Sequence, residues 1–246
     1  NGTFKFPLGG LPYKADIFWL GTNWNFNPEF NLGKFSLNGF LISNFGTVNV
    51  KQNDWEKAAD ILGFSANVRA GYKYGQTAED IVTLDLLFSS GDEDALDDKD
   101  YNGIITANTW GSPGAIFISS GAYLLFPHGN VVNRFISAVS DLSNMGKGLI
   151  GGTLEFHKDL IPHKLSVKVG TALASSLYEF QDGGKFIGTE LNGRISWTPF
   201  ILLNIELHAA YMWLGDFYDS PQTNGNLSKK PDNPFTIFTV FKYLMF

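Results

Sequence analysis

The chain has 246 residues, 44% hydrophobic, 15% aromatic and only 17% charged, and its 18 basic and 24 acidic side chains give a net charge of -6. A mean hydropathy of -0.04, with no run of roughly 18 apolar residues, excludes a helical membrane protein. The lack of a basic stripe to neutralise phosphates excludes nucleic acid as a partner, and zero Cys removes disulfides, thiolate metal sites and Cys nucleophiles. Asn1 is not followed by a basic stretch and an apolar stretch of signal-peptide type, so any export signal has been removed or lies upstream.

The dominant pattern along the chain is alternation with period two, which puts apolar side chains on one face of a strand and polar ones on the other. It is weak over 15 to 26 and 35 to 47. From 62 to 74 it opposes Leu62, Phe64, Val68, Tyr72 and Tyr74 to Ser65, Asn67, Arg69 and Lys73. From 81 to 89 it opposes Val82, Leu84, Leu86 and Phe88 to Thr83, Asp85 and Ser89. Residues 149 to 157 set Ile150, Leu154 and Phe156 against Thr153, Glu155 and His157, and 164 to 176 set Leu165, Val167, Val169 and Leu173 against Lys164, Ser166 and Lys168. Between 186 and 197, Ile187, Leu191, Ile195 and Trp197 face away from Glu190, Asn192, Arg194 and Ser196. From 203 to 217 the odd positions are apolar, against Asn204, Glu206, His208 and Asp216. The last segment, 235 to 246, is apolar on both faces.

Any one of these segments fits a soluble β-sandwich, but nine in succession fit something else. Most span about ten residues, whereas soluble strands average five or six and a tilted strand crosses a bilayer in about 9 to 11. Connections read as short at 27 to 33, 75 to 80, 159 to 163 and 198 to 200, and longer at 49 to 60, 90 to 147, 177 to 185 and 218 to 234. Short periplasmic turns alternating with long extracellular loops, and aromatic residues near strand ends (Trp24, Phe26, Tyr72, Tyr74, Trp197, Phe200, Trp213, Phe217), are the pattern of an outer-membrane barrel. The expected fold is therefore all-β: an antiparallel transmembrane β-barrel, with residues 1 to 246 forming one domain. Counting nine strands back from a periplasmic Phe246 puts residue 15 on the extracellular side. Either a tenth strand at Gly2 to Leu8 closes a small barrel, or the chain is the C-terminal portion of a larger one of about 18 strands, which is the preferred expectation.

The polar faces then line a pore with Arg69, Lys73, Asp85, Glu155, His157, Lys164, Lys168, Glu190, Arg194, Glu206 and His208. Such charges select solutes by sign, or they pair with neighbours across the wall and keep the interior wet. The small excess of basic groups favours anions. The stretch from 90 to 147 exceeds the length of a passive connection and is expected to fold inward as a constriction, with Phe126, His128 and Arg134 on it. Within it, 130 to 143 places Val132, Phe135, Ile136, Val139 and Leu142 on one helical face, while an extra hairpin over 104 to 126 is the alternative.

The acidic run from Asp92 to Asp100 offers oxygen ligands for Ca²⁺ but lacks EF-hand spacing, so a solvated loop is the simpler expectation. None of His128, His157, His163 and His208 shows metal-ligand spacing, and no nucleophile elbow, phosphate loop or dinucleotide fingerprint occurs. No cofactor and no enzymatic activity are expected. Asp216, Asp219 and His128 are the residues a rim hydrolase would have to use.

The chain ends FTIFTVFKYLMF, and a terminal aromatic closing the last strand resembles bacterial outer-membrane proteins. Counting back by twos puts Leu244, Val240 and Phe238 on the lipid side, with Lys242 interrupting the row. A strand ending LLFSSGDED, followed by a long loop containing YLLFPHGN, resembles the alginate-export family of outer-membrane porins over residues 81 to 130. That resemblance implies an 18-stranded monomeric barrel that passes a polyanionic polysaccharide. The expected function is passive passage of small hydrophilic, anionic or saccharide-like solutes through the bacterial outer membrane, among its lipid and lipopolysaccharide. The alternative is a small closed ten-stranded barrel acting as adhesin, receptor or rim hydrolase.

Overall fold

A computed structural model describes residues 10–94, 96–105, 121–126, 138 and 142–243. Nine long strands follow one another: β1 (Tyr13–Phe26), β2 (Phe35–Lys51), β3 (Trp55–Lys73), β4 (Ile81–Ser89), β6 (Leu149–Ile161), β7 (Leu165–Ser176), β8 (Phe186–Phe200), β9 (Leu203–Leu214) and β10 (Phe235–Tyr243). A two-residue strand, β5 (Asp100–Tyr101), runs parallel to β3 at Asp60 and Ile61. All other pairs are antiparallel between neighbours in sequence, in the order β1-β2-β3-β4-β6-β7-β8-β9-β10. Among the described residues the sheet is open, since β1 and β10 are not paired with each other. The only helical element among the described residues is a single 3-10 turn, Asp216–Asp219.

Period-two alternation decides how this sheet is dressed, and the arrangement is inverted relative to a soluble protein. One face carries large apolar side chains exposed to the surroundings: Phe18, Phe45, Phe64, Leu84, Leu154, Val169, Ile195, Leu207 and Phe241, one or more from every long strand. The opposite face buries polar and charged groups: Asn44, Asn67, Asp85, Thr153, Glu155, Lys168, Glu190, Asn192, Glu206 and His208. Cross-strand aromatic pairs tie the exposed face together, Phe18 with Phe45, Phe35 with Tyr72 and Phe64 with Phe88, a type of contact worth about 0.5–1.5 kcal/mol beyond area.

Four features differ from the sequence expectation. First, β2 and β3 are 17 and 19 residues long and leave only 52 to 54 as a connection where a longer one was expected. On the polar side of this overhang Val48, Ala59, Ile61, Tyr101 and Ile105 form their own apolar cluster. That burial keeps a polar-looking stretch in strand form.

Second, Ile187 is buried instead of joining the exposed face. The β7–β8 register slips between Ala174 and Ser175, and Gly188 takes a φ of +154°, so a bulge turns Ile187 inward. Third, in β10 the even row faces the polar side, where Phe238 stacks on His208 and Lys242 reaches Glu206. Phe235, Ile237, Phe241 and Tyr243 are the exposed row, so Phe238 and Val240 are not on the apolar face. Fourth, β6 and β8 extend to Ile161 and Phe200, which tightens two turns to 162–164 and 201–202.

The end of the sheet that bears the long connections is capped on its polar side by an apolar cluster. Leu125, Phe126, Leu142 and Ile104 of the 90–148 connection pack on Leu87, Leu149, Ala172, Ala174 and Met212 of the strands. Residues 121–126, with Ile104 and Leu142, thus lie over the polar face at that end. Most of the expected helix at 130 to 143 and of the alternative hairpin at 104 to 126, together with Leu244 and the tenth strand expected at Gly2 to Leu8, lie outside the described residues.

Candidate functional site

Side chains in one register row of the polar face come from five consecutive strands: His157, Lys168, Arg194, His208 and Phe238. Acids flank this row on both sides, and every charge in it has a partner. Lys168 donates to Glu155 at 2.5 Å, with both side chains more than nine-tenths buried. His157 lies 3.8 Å from Glu155 and 3.4 Å from Glu79. Arg194 donates to Glu79 at 2.9 Å and sits 4.0 Å from Glu206. Glu206 also accepts from Lys242 at 2.8 Å and lies 3.1 Å from His208 Nε2. The other ring nitrogen of His208 lies 2.9 Å from the Tyr123 hydroxyl. The Tyr123 hydroxyl and the Glu206 carboxylate thus hold the two ring nitrogens of His208 from opposite sides, and burial pushes the phenol up.

A second unit lies on β3 and β4. Arg69 donates from Nε and Nη2 to Asp85 at 2.9 and 2.5 Å, and Asn67 donates to the other oxygen of the same carboxylate. A two-pronged bond to one oxygen fixes the guanidinium more firmly than a single contact.

Local sequence explains these placements. Gly170 stands between Glu155 and Asn192 in the next register row, and a Cβ there would approach Asn192 Oδ1 to 2.8 Å. Its missing side chain opens the space that the Lys168–Glu155 pair and Asn192 occupy. At the end with short turns, the 74–80 turn curls over the polar face. Its Asp80 accepts from Lys158 Nζ at 2.8 Å and from the Asp159 amide at 3.3 Å. Its Glu79 amide donates to Asp159 at 3.3 Å, and Tyr74 donates to the His157 carbonyl at 2.6 Å. The Lys158 hydrogen bond is the main reason that the Asp80 carboxyl is held at about 2. The Glu79 carboxyl is likewise held below its ordinary value, first by its hydrogen bond with His157 and also by Arg194. Below this turn a cavity of about 280 Å³ is lined by Glu79, Lys164, Ser166, Arg194, Ser196, Thr198, Asn204 and Glu206.

Of the side chains expected along a pore, Arg69, Asp85, Glu155, His157, Lys168, Arg194, Glu206 and His208 lie on this one face within the networks just described, and Glu190 is buried on the same face beside Asn192. Lys73 and Lys164 sit at strand ends near the short turns and make no ion pair among the described residues. Phe126 is completely buried in the capping cluster, so it anchors the inward connection; His128 and Arg134 lie outside the described residues. Sequence periodicity missed Glu79, Asp80, Lys158, Tyr123 and Lys242. Only the pair of acids in the short turn, Glu79-Asp80, and the lone charge in an apolar strand, Lys242, carry a sequence signal.

The acidic run is organised as turns. Asp92 is buried and accepts from the Asn102 amide at 2.7 Å, and Asp98 accepts from the Asp100 amide at 2.9 Å. Among the described residues no group of three or more His, Asp or Glu is placed to hold a metal ion. Asp216 accepts from the Phe186 amide at 2.9 Å, which ties down the β9–β10 connection. No family model matches the chain, and no curated protein matches it.

Proposed function

We propose that this chain forms part of the wall of a transmembrane β-barrel in a bacterial outer membrane and that the barrel passes small hydrophilic solutes passively. The inverted dressing of the sheet carries the reading. Soluble monomers rarely expose a contiguous apolar patch above a few hundred Å², yet here all nine long strands present one apolar face outward. Lipid is the solvent that such a face suits, and the paired charges opposite suit a hydrated interior. Strands of 9 to 19 residues meet the length needed to cross a bilayer.

An open sheet edge cannot stand in hydrocarbon, because unpaired backbone groups there cost several kcal/mol each. Among the described residues the outer edges of β1 and β10 have no strand partner, and in this reading further strands complete them. Mixed charges along the polar face favour hydrophilic solutes, and Lys164 and Lys73 at the mouth favour an anionic or saccharide-like one.

The test is conductance in a planar bilayer, made with the full-length mature protein. Discrete steps that scale with salt support a channel; a folded, vesicle-inserted protein without steps would overturn it and leave the adhesin or receptor reading.

A further inference from the structure

Three consecutive backbone N–H groups, those of Tyr123, Leu124 and Leu125, converge on a single carboxylate, Glu190 of β8, at 2.7, 2.9 and 2.7 Å. Glu190 is completely buried. Asn192, two residues further along the same face, donates to Glu190 at 2.9 Å and to the Gly121 carbonyl at 2.8 Å.

A buried carboxylate is costly unless its lone pairs are used, and buried N–H groups are costly unless they find acceptors. Here each solves the other's problem, as when a nest of backbone amides holds an anion. The segment is fixed at two further points. A Cβ on Gly121 would come within 2.5 Å of Thr153 Oγ1 on β6, so only glycine allows so close an approach. On β9, His208 holds the Tyr123 hydroxyl, while Lys168 Nζ sits 4.8 Å from the centre of the Tyr123 ring.

We propose that Glu190 is a latch that holds residues 121–126 as a cross-bar against the polar face, and that this cross-bar sets the size cut-off of the channel. The latch stands on geometry alone; the size cut-off rests on the channel reading above. Glu190 acts here as a positioning residue. A glutamine fills the same volume, but its NH₂ group would face an N–H donor, so at least one of the three bonds is lost. Glu190→Gln therefore separates hydrogen bonding from packing.

Two readouts on the full-length protein test the two halves. Hydrogen exchange of a peptide covering 121–126 should quicken on the order of tenfold in Glu190→Gln, the change expected for losing a bond to a charged acceptor. Glu190→Ala should quicken it further, and Asn192→Ala less. Unit conductance of Glu190→Gln should rise about twofold, with entry of larger neutral polymers, if the cross-bar obstructs the path.

Unchanged exchange in Glu190→Gln overturns the latch, whatever the conductance. Faster exchange with unchanged conductance and polymer cut-off overturns the cross-bar as a size filter. A wild-type protein that gives no conductance overturns the channel reading and the size cut-off with it, and exchange alone then decides the latch. Should Glu190→Ala fail to fold, Glu190→Gln and Asn192→Ala supply the same readouts.

Discussion

Arg194 on β8 and Glu79 in the 74–80 turn meet at 2.9 Å although 115 positions separate them. A turn that reaches over the strands between to pair with a charge of the polar face neutralises that charge. Glu79→Gln is therefore expected to unmask Arg194 and to shift the permeability ratio toward anions by about twofold, by the general rule that fixed charge in a pore concentrates its counter-ion. Reversal potential across a salt gradient is the measurement, and an unchanged value would place the turn away from the ion path.

Lys168 and Glu155 form a buried pair at 2.5 Å, and removing one member of such a pair costs about 3–5 kcal/mol because the other is left uncompensated. Lys168→Met should lower stability by that order in a urea titration of the vesicle-inserted protein. Adding Glu155→Gln should recover part of the loss. Equal stability of the wild type and the single variant would mean that water reaches the pair.

The Asp80 carboxyl is held at about 2 against an ordinary 3.8, chiefly by the Lys158 hydrogen bond. Because the folded value is depressed, its contribution is complete above about pH 4 and is lost as the pH falls toward 2. Amides of the 74–80 turn should stay protected at pH 5 and open between pH 4 and 2. Asp80→Asn should weaken protection at pH 5 and flatten this dependence, and a wild-type turn equally protected at pH 2 and pH 5 would count against it.

Leu207 stands on the exposed apolar face of β9, next in sequence to His208 on the polar face. Leu207→Arg should cost about 2–4 kcal/mol of insertion stability, the penalty for a charge facing the middle of a bilayer. Folding into lipid vesicles followed by heat-dependent gel mobility reads the effect. A neutral outcome would mean that this face meets water or protein instead of lipid.

Much of the sheet was legible because a strand has only two faces and its residue types declare which is polar. Arg69, Asp85, Glu155, Lys168, Glu190, Arg194, Glu206 and His208 follow from parity alone. Parity fails where backbone geometry inserts a residue, as at Ile187 beside Gly188, and where both rows are apolar, as in β10. There Lys242 was the signal, since a lone charge in an apolar strand turns toward water or an acid. Glu79 and Tyr123 stayed hidden because their positions depend on contacts 78 to 115 residues away. Glu190 was visible as a polar-face acid, but its partners are backbone amides, which any sequence possesses.

Sheet order that follows sequence order also fixes a timetable. Each long strand joins one already beside it, so the sheet can grow hairpin by hairpin with mostly local closure. The 121–126 segment is different: its carboxylate partner arrives 65 to 67 residues later. β4, β6 and β7 offer the segment an apolar seat, but its backbone N–H groups have no carboxylate until β8 is in place. A chain halted before Glu190 would carry its first hairpins with an insert held by apolar packing but lacking its carboxylate.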